Sequence, residues 1–472
     1  MSQPNHDPSL SHAALDQSSI SWMQEFTQTI RLAIPLIATF IGYQIMSLCD
    51  TFVSARLGTE ALAAVSLGSA LYWVCTIFPL GILLSLDPLV AQSLGANKVK
   101  EASHYCRQGL SLALILSVIF IPITLLSIHP QWPWIQQQAS LHDPLSAYLY
   151  ARVITVPFLL MHTCLRCFLQ AHHQTTAILM ATTLANLINL PLSLYLAGGD
   201  SLLQELNLPT LGIMQQGYGT WGIGIATTIV SIFETFFLMY CASRQAKSPI
   251  LPTFALKNLK KLIYLGLPIG GALISEGGVF SASTLLASAW SITEIGAHQV
   301  TLQISSCSFT IYLGIANATA VRVGHAVGAH KWYKARQVAS TGVALGVLIT
   351  LCIACFFGVA RYTIPSWITT DMAVIQQVGT LLIISAAFQL FDGIQVISAG
   401  ALRGAGMTKI PLWSALISHW GIGLPCALLF AFYYELKVAG LWWGLCCGLA
   451  VASVALSYSF IYYTGLEQKK SR

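Results

Sequence analysis

The chain has 472 residues, of which 55% are hydrophobic and 8% charged, and its formal net charge is +6. Soluble domains carry roughly 25% charged residues, so the composition excludes a soluble globular enzyme and describes a polytopic membrane protein. The basic excess reads as a topology signal rather than as a nucleic-acid surface, because Lys and Arg are retained on the cytoplasmic side of membrane proteins.

In chain order, residues 1–24 are polar and lack the basic start and apolar core of a signal peptide, so they read as a flexible cytoplasmic tail. Twelve stretches near or above the roughly 20 residues that cross a bilayer as helix then follow. They lie at about 29–50, 61–88, 103–128, 145–171, 175–197, 219–243, 259–287, 295–320, 335–359, 373–402, 409–433 and 438–463. With the N-terminus inside, nineteen of the twenty-three Lys and Arg fall on cytoplasmic segments. Both termini are therefore expected in the cytoplasm. The twelve cysteines, including the CxxC spacings at Cys164/Cys167 and Cys352/Cys355, lie mostly in spans and read as small packing residues.

The chain resembles itself at an offset near 233. Leu32-Ala33-Ile34-Pro35 answers Leu265-Gly266-Leu267-Pro268, and Gly95-Ala96-Asn97-Lys98 answers Gly328-Ala329-His330-Lys331. Thr59-Glu60 and Asn189-Leu190-Pro191 have their counterparts in the same order at Thr293-Glu294 and Gly423-Leu424-Pro425. The expected organisation is an N-terminal six-helix lobe at 25–243, a cytoplasmic linker at 244–258 and a C-terminal six-helix lobe at 259–472 with a short cytoplasmic tail. Two copies with six spans each enter the membrane in the same direction, which is a transporter plan with its site at the repeat interface.

Charges inside such spans cost at least about 2.5–3.5 kcal/mol and mark function. In the tenth span Ser385, Gln389, Asp392 and Gln395 follow at spacings of 4, 3 and 3, one helical face. The eighth carries Gln299, Gln303, Ser306, Thr310 and Asn317 in one sector, and lipid cannot satisfy such rows. Glu276 in the seventh span precedes Gly277-Gly278, where a bend is easy. Asp50 ends a row with Thr39, Tyr43 and Met46 in the first span. Two carboxylates on different helices can hold a sodium ion among carbonyl and amide oxygens, or share a proton. Tyr43, Phe280, Phe388 and Phe391 are placed to offer aromatic surface to flat cations. Asp87, Glu234 and Arg152 lie toward span ends and read as structural.

DTFVSARLGTEALAAVSLG from Asp50, DPLVAQSLGAN from Asp87, HQVTLQISS from His298, VRVGHAVGAHK from Val321 and FDGIQVISAGALRG from Phe391 resemble the multidrug and toxic compound extrusion (MATE) family, in its NorM-type bacterial branch. The resemblance covers nearly the whole chain except the tail. It implies an all-α, V-shaped pair of six-helix lobes in a bacterial inner (plasma) membrane, a multidrug efflux antiporter that exports organic cations in exchange for inward Na+ or H+. It also implies that Glu276 and Asp392 form the cation site of the C-terminal lobe, with Asp50 as the acid of the N-terminal lobe accompanied by Asn189 and Thr227. Ser193 departs from the pattern, standing where a second asparagine is usual. No cofactor is expected beyond the coupling ion, and no enzymatic activity. The expected partners are small cationic or amphipathic drugs and membrane lipids, not nucleic acid, with the chain as a monomer. The alternatives are a lipid-linked sugar flippase, which would call for several intramembrane Lys or Arg where Arg152 is the one candidate, and a membrane-embedded transferase, which would need a catalytic cluster at one interface.

Overall fold

The computed structural model describes residues 22–132, 139–253 and 256–470. These residues are almost wholly helical, as a chain must be when lipid offers its backbone no hydrogen bonds. The spans, in order, are Trp22–Leu57, Thr59–Gly95, Val99–Leu126, a bent pair, Thr175–Glu205, Gly219–Ala246, Leu256–Ala287, Ile292–Gly328, Trp332–Val359, Met372–Gly404, Lys409–Tyr433 and Lys437–Lys470. The bent pair is the fourth span, Ala139–Val153 followed by Thr155–Ala171, with a 43° turn between its halves. Counting the pair as one span gives twelve.

Several helices overrun the apolar windows expected from the sequence. The first begins at Trp22 rather than near 29, because its polar first turns hold Glu25, Gln28 and Thr29 against Arg322 of the eighth span. The fourth begins at Ala139 and carries Pro144 inside its helix, where the ring leaves the Ser140 carbonyl without its intrahelical N–H donor. Of the expected tail, residues 22–24 belong to the first helix and the rest lie outside the described residues. Between the lobes, Ile250 is buried, and Thr253 N–H donates to the Arg107 carbonyl at 3.3 Å, laying this segment over the third span.

The repeat has a geometric counterpart. Gly95 lies on the backbone of His325, and Gly328 on that of Gln92; Gly81 packs on Gly270, and Gly314 on Ile37. Positions 95 and 328, 92 and 325, 81 and 314, and 37 and 270 are each 233 residues apart, so these contacts are mates under one pseudo-twofold axis. Asn97 and His330, again 233 apart, both take left-handed φ, 59° and 58°. No Cβ fits at the four glycines without moving the facing chain, and it is their missing side chains that let the spans cross so closely.

The molecule is thus a V of two pseudo-symmetric six-helix lobes. One apolar cluster fills the N-terminal lobe and crosses the interface to Tyr312, Ile315 and Val321. A second, built on Trp442, Phe388 and Val279, lies in the C-terminal lobe. The inter-lobe hydrogen bonds and ion pairs gather at the end that carries most of the Lys and Arg, called here the basic end. Arg322 donates to the Glu25 carboxylate, to the Glu25 carbonyl at 2.9 Å, to Gln28 at 2.8 Å and to the Thr29 hydroxyl. Lys334 Nζ stands 3.7 Å from the other Glu25 oxygen, and Arg403 Nε 3.3 Å from Asp87. Gln92 donates to the Gly404 carbonyl at 2.9 Å, and His325 to that of Ala171 at 2.8 Å. The V is closed at this end.

Candidate functional site

The C-terminal lobe brings the expected acids together. Asp392 is buried on the tenth span, and Glu276 on the seventh is half-buried and acts on it electrostatically. Gln395, one turn beyond Asp392, stands against Glu276 while its amide oxygen remains buried without a partner. Two carboxylates repelling in a desolvated site favour any cation or proton that separates them. The surrounding groups are acceptors and neutral donors, so the chemistry on offer is cation binding rather than bond breaking.

The tenth-span row Ser385, Gln389, Asp392 and Gln395 is buried throughout. It faces the eighth span, where the Ser385 and Ser305 hydroxyls are 2.8 Å apart and the Gln389 amide donates to the Ser305 carbonyl at 3.4 Å. That places on the eighth span a row the sequence reading passed over: Thr301, Ser305, Ser308 and Tyr312, at spacings of 4, 3 and 4, all buried. Tyr312 completes the site, since its hydroxyl is buried without a partner and Asp392 acts on it. The periodicity that marked Gln299 and Gln303 was equally present for Tyr312, but an aromatic residue within an apolar helix reads as core.

The other eighth-span row has a different surrounding. Gln299 and Gln303 are exposed and Ser306 half-buried, whereas Thr310 and Asn317 are buried. Farther along the same face, Gly314 and Gly328 pack on the N-terminal lobe. The row therefore follows the inter-lobe face, closed at Asn317, where Gln170 donates to its carbonyl at 3.4 Å, and open toward Gln299.

In the N-terminal lobe Asp50 is buried, and the Thr227 hydroxyl lies 3.0 and 3.3 Å from its two oxygens. Asn189 is fully buried with neither amide atom partnered, and so is the Ser193 hydroxyl. Arg152, read as an end-of-span structural residue, is in fact within electrostatic range of Asp50, its guanidinium 4.4 Å from the Tyr72 ring centroid. Glu234, also read as structural and near a span end, is buried inside the lobe.

The aromatic candidates separate. Phe388 is 3% exposed, wedged between Phe280 at 6.1 Å and Trp442 at 5.4 Å, and shows the cleft almost no surface. Phe280 and Phe391 are half-buried. Tyr43 sits within the N-terminal lobe, its hydroxyl 3.3 Å from His162 Nε2.

Comparison with known proteins gives the same architecture. A family model described as MatE matches residues 35–195 and 268–429, once in each lobe. A protein from Pseudomonas putida described as probable multidrug resistance protein NorM is 32% identical over 447 residues, covering 92% of this chain and 94% of the relative. A protein of the same description from Xylella fastidiosa is 32% identical, with 92% of each chain covered. Among solved structures, the eukaryotic MATE transporter AtDTX14 superposes with a TM-score of 0.80 at 19% identity, over 95% of this chain and 98% of that one. A MOP superfamily transporter from Pyrococcus furiosus gives 0.83 at 17% identity, over 94% and 97%. With the family model falling on both halves and a relative at 32% identity spanning nearly its full length, the chain belongs to the MatE family of membrane transporters.

Proposed function

We propose that the chain is a secondary active multidrug efflux transporter, exporting small organic cations in exchange for inward Na+ or H+. The observation that carries this reading is the paired carboxylates Glu276 and Asp392 with Gln395 and Tyr312, a cation site in one lobe of a two-lobed V. The relatives described as probable multidrug resistance proteins support drug export as the task. With the basic end in the cytoplasm, as the positive-inside argument has it, the closed end faces the cell interior and this is the outward-facing arrangement.

Exchange requires that ion and drug not favour the same state equally, because a ligand bound equally to both states shifts nothing. Competition for Glu276 and Asp392 supplies that difference. A coupling ion moving inward across about 100 mV gains roughly 2.3 kcal/mol per charge before any concentration gradient is added. A drug entering the cleft meets the Gln299, Gln303 and Ser306 row, with Phe280, Phe391 and Tyr43 as aromatic candidates and Phe388 reachable only after repacking. Asp50, with Thr227 and Asn189, is the N-terminal counterpart.

Dye efflux from vesicles carrying Glu276→Gln or Asp392→Asn tests the reading. Each substitution keeps the side-chain volume while deleting one charge, and efflux under an unchanged ion gradient should fall at least about tenfold, as expected for losing one close charge partner. Full efflux in both variants would remove these acids from the coupling step. Running the assay with a sodium gradient alone and then a proton gradient alone identifies the ion.

A further inference from the structure

Besides Asp50, the interface acids Glu25 and Asp87 and the turn acid Asp200, the N-terminal lobe buries one more carboxylate among the described residues, to which the reading above gives no task. Glu234 on the sixth span is 6% exposed, one of its oxygens is buried without a partner, and no ion pair reaches it among the described residues. The groups facing it come from three helices. Tyr43 of the first span lies within its electrostatic range. The Tyr43 hydroxyl meets His162 of the fourth span, and Arg166, one turn along, acts on Tyr43. The Thr182 hydroxyl of the fifth span stands beside the carboxylate without closing a hydrogen bond to it.

The register is regular. Asp50 meets Thr227, and Tyr43 meets Glu234, so the two levels are seven residues apart on each of two antiparallel helices, about 10 Å. Between these levels the fifth span presents Thr182, Asn186, Asn189 and Ser193 at spacings of 4, 3 and 4, a single face. That face looks at the first span: the Asn186 amide donates to the Gly42 carbonyl at 3.0 Å, and the Thr182 methyl fills the space beside Gly42. Along it the Thr182 hydroxyl, the Asn186 amide oxygen, both amide atoms of Asn189 and the Ser193 hydroxyl are buried with no partner.

Native interiors leave few polar groups unmet, and an ordered row of them asks for something that donates and accepts. Side chains three and four apart on a helix stand about 5–6 Å apart, the length of two hydrogen bonds of about 2.8 Å through one oxygen. Each gap is therefore the length that one bridging water spans. We propose that Glu234 is a second proton-binding carboxyl of the N-terminal lobe, joined to Asp50 by water held on Thr182, Asn186, Asn189 and Ser193. Protonated Glu234 gives its proton to the adjacent water and is left a carboxylate. The last water of the row passes a proton to the Asp50 carboxylate, so one proton moves and no electron does. At the Asp50 end the facing charged and titratable groups are Arg152, Tyr148 and Cys49, with Tyr72 beyond Arg152. Only the use of this proton in transport rests on the cation-coupled reading.

Infrared titration of the full-length protein in detergent, between about pH 4 and pH 9, reads the carbonyl bands of protonated buried carboxyls without substrate or gradient. Glu234→Gln should delete one titrating band and Asp50→Asn another, each in protein that stays monodisperse; a spectrum unchanged by Glu234→Gln overturns the proposal. Thr182→Val and Asn186→Leu leave both acids in place and interrupt the row on its Glu234 side. With the basic end closed, deuterium from solvent should then reach the Glu234 band roughly tenfold more slowly, the effect of one lost hydrogen-bonded rung, with the Asp50 band unaffected. Wild-type exchange in both variants overturns the relay. A failed efflux test at Glu276 and Asp392 would leave these bands in place, and absent bands would leave that test untouched.

Discussion

Thr227 gives its hydroxyl to the Asp50 carboxylate and is itself buried, so the pair is worth more than its single hydrogen bond. Removing the donor strands a buried carboxylate, which costs about 1–3 kcal/mol. Thr227→Val should lower the thermal unfolding midpoint in detergent by a few degrees for a chain of this size, whereas Thr227→Ser, which keeps the hydroxyl, should recover most of the loss. Equal midpoints for the two variants would show that the hydroxyl does not support Asp50. At this scale the sequence was readable wherever a charge stood alone in an apolar run, as at Asp50, Glu276 and Asp392. It was opaque where the informative residue was neutral or aromatic. Tyr312 and the fifth-span row from Thr182 to Ser193 became visible only once neighbouring helices showed which hydroxyls and amides lacked partners, a property of packing and not of local pattern. Glu234 shows the same limit, since its position along the span hid its burial among three other helices.

Helix existence followed directly from hydropathy, while helix ends did not, because the ends answer to distant polar contacts. The fifth span is the clearest case. Its apolar run ends near Ala197, yet helical structure resumes to Glu205 after a break at Gly199, where φ is 69° and ψ −161°. That combination is open essentially to glycine alone. The break turns the chain so that Asp200 accepts from the Leu211 backbone at 2.7 Å and donates its own N–H to Met214 at 2.8 Å, tying down the connection to the sixth span. Gly199→Ala should cost about 1–3 kcal/mol in backbone strain, with further loss because its Cβ would meet the Met214 and Gln215 carbonyls. Limited proteolysis between 206 and 218 should accelerate accordingly, while the proposed cation site at Glu276 and Asp392, in the other lobe, should be unaffected. Unchanged proteolysis would mean that the segment is held by contacts other than this turn. The eleventh span departs from sequence expectation differently: π-helical turns at Leu416–Gly423 and Leu429–Tyr433 place Trp420 so that its indole N–H donates to the Ser275 carbonyl at 3.0 Å, beside Glu276. Nothing in hydropathy encodes a π turn, since it preserves the composition of an α-helix and changes only its phase.

At the scale of the whole molecule the repeat was legible as ordered matches, and its consequence, four glycine crossings related by one axis, is what the structure adds. The scaffold is symmetric but the charges on it are not, because the ion pairs at the basic end have no pseudo-symmetric mates: position 320, the counterpart of Asp87, is Ala320. Closure of that end therefore rests on a few specific groups. Arg322 is 8% exposed and Glu25 fully buried, and breaking such a pair from one side costs about 3–5 kcal/mol, since the remaining charge stays buried. The penalty falls only on the closed state, where the lobes touch. Arg322→Gln should therefore shift the equilibrium toward the form open at the basic end, by more than the tenfold that about 1.4 kcal/mol gives. Lys334→Gln, lost from a half-exposed pair at 3.7 Å, should do so far less. Acid should act in the same direction. His173, in the loop after the fourth span, stacks on His325 of the other lobe at 5.0 Å. Desolvation at this crossing, with His325, Arg322 and His172 adding, pushes its pKa down to about 4 although the residue is exposed at the surface, so solvent screening makes its share of the response small. A base whose pKa is lowered by closure takes up its proton more readily when the lobes part. The closed state should accordingly be undiminished above about pH 6.5, lose ground as the pH falls from there toward about 4, and change no further on this account below that. Distances between probes placed by unnatural amino acids at Lys98 and Arg336, exposed positions on opposite lobes, would report the equilibrium without touching the twelve native cysteines. Opening that is greater in Arg322→Gln than in Lys334→Gln, with a small acid response removed by His173→Gln, is the expected outcome. A closed population equal in all variants would mean that the glycine crossings alone, and not the ion pairs, hold this end shut.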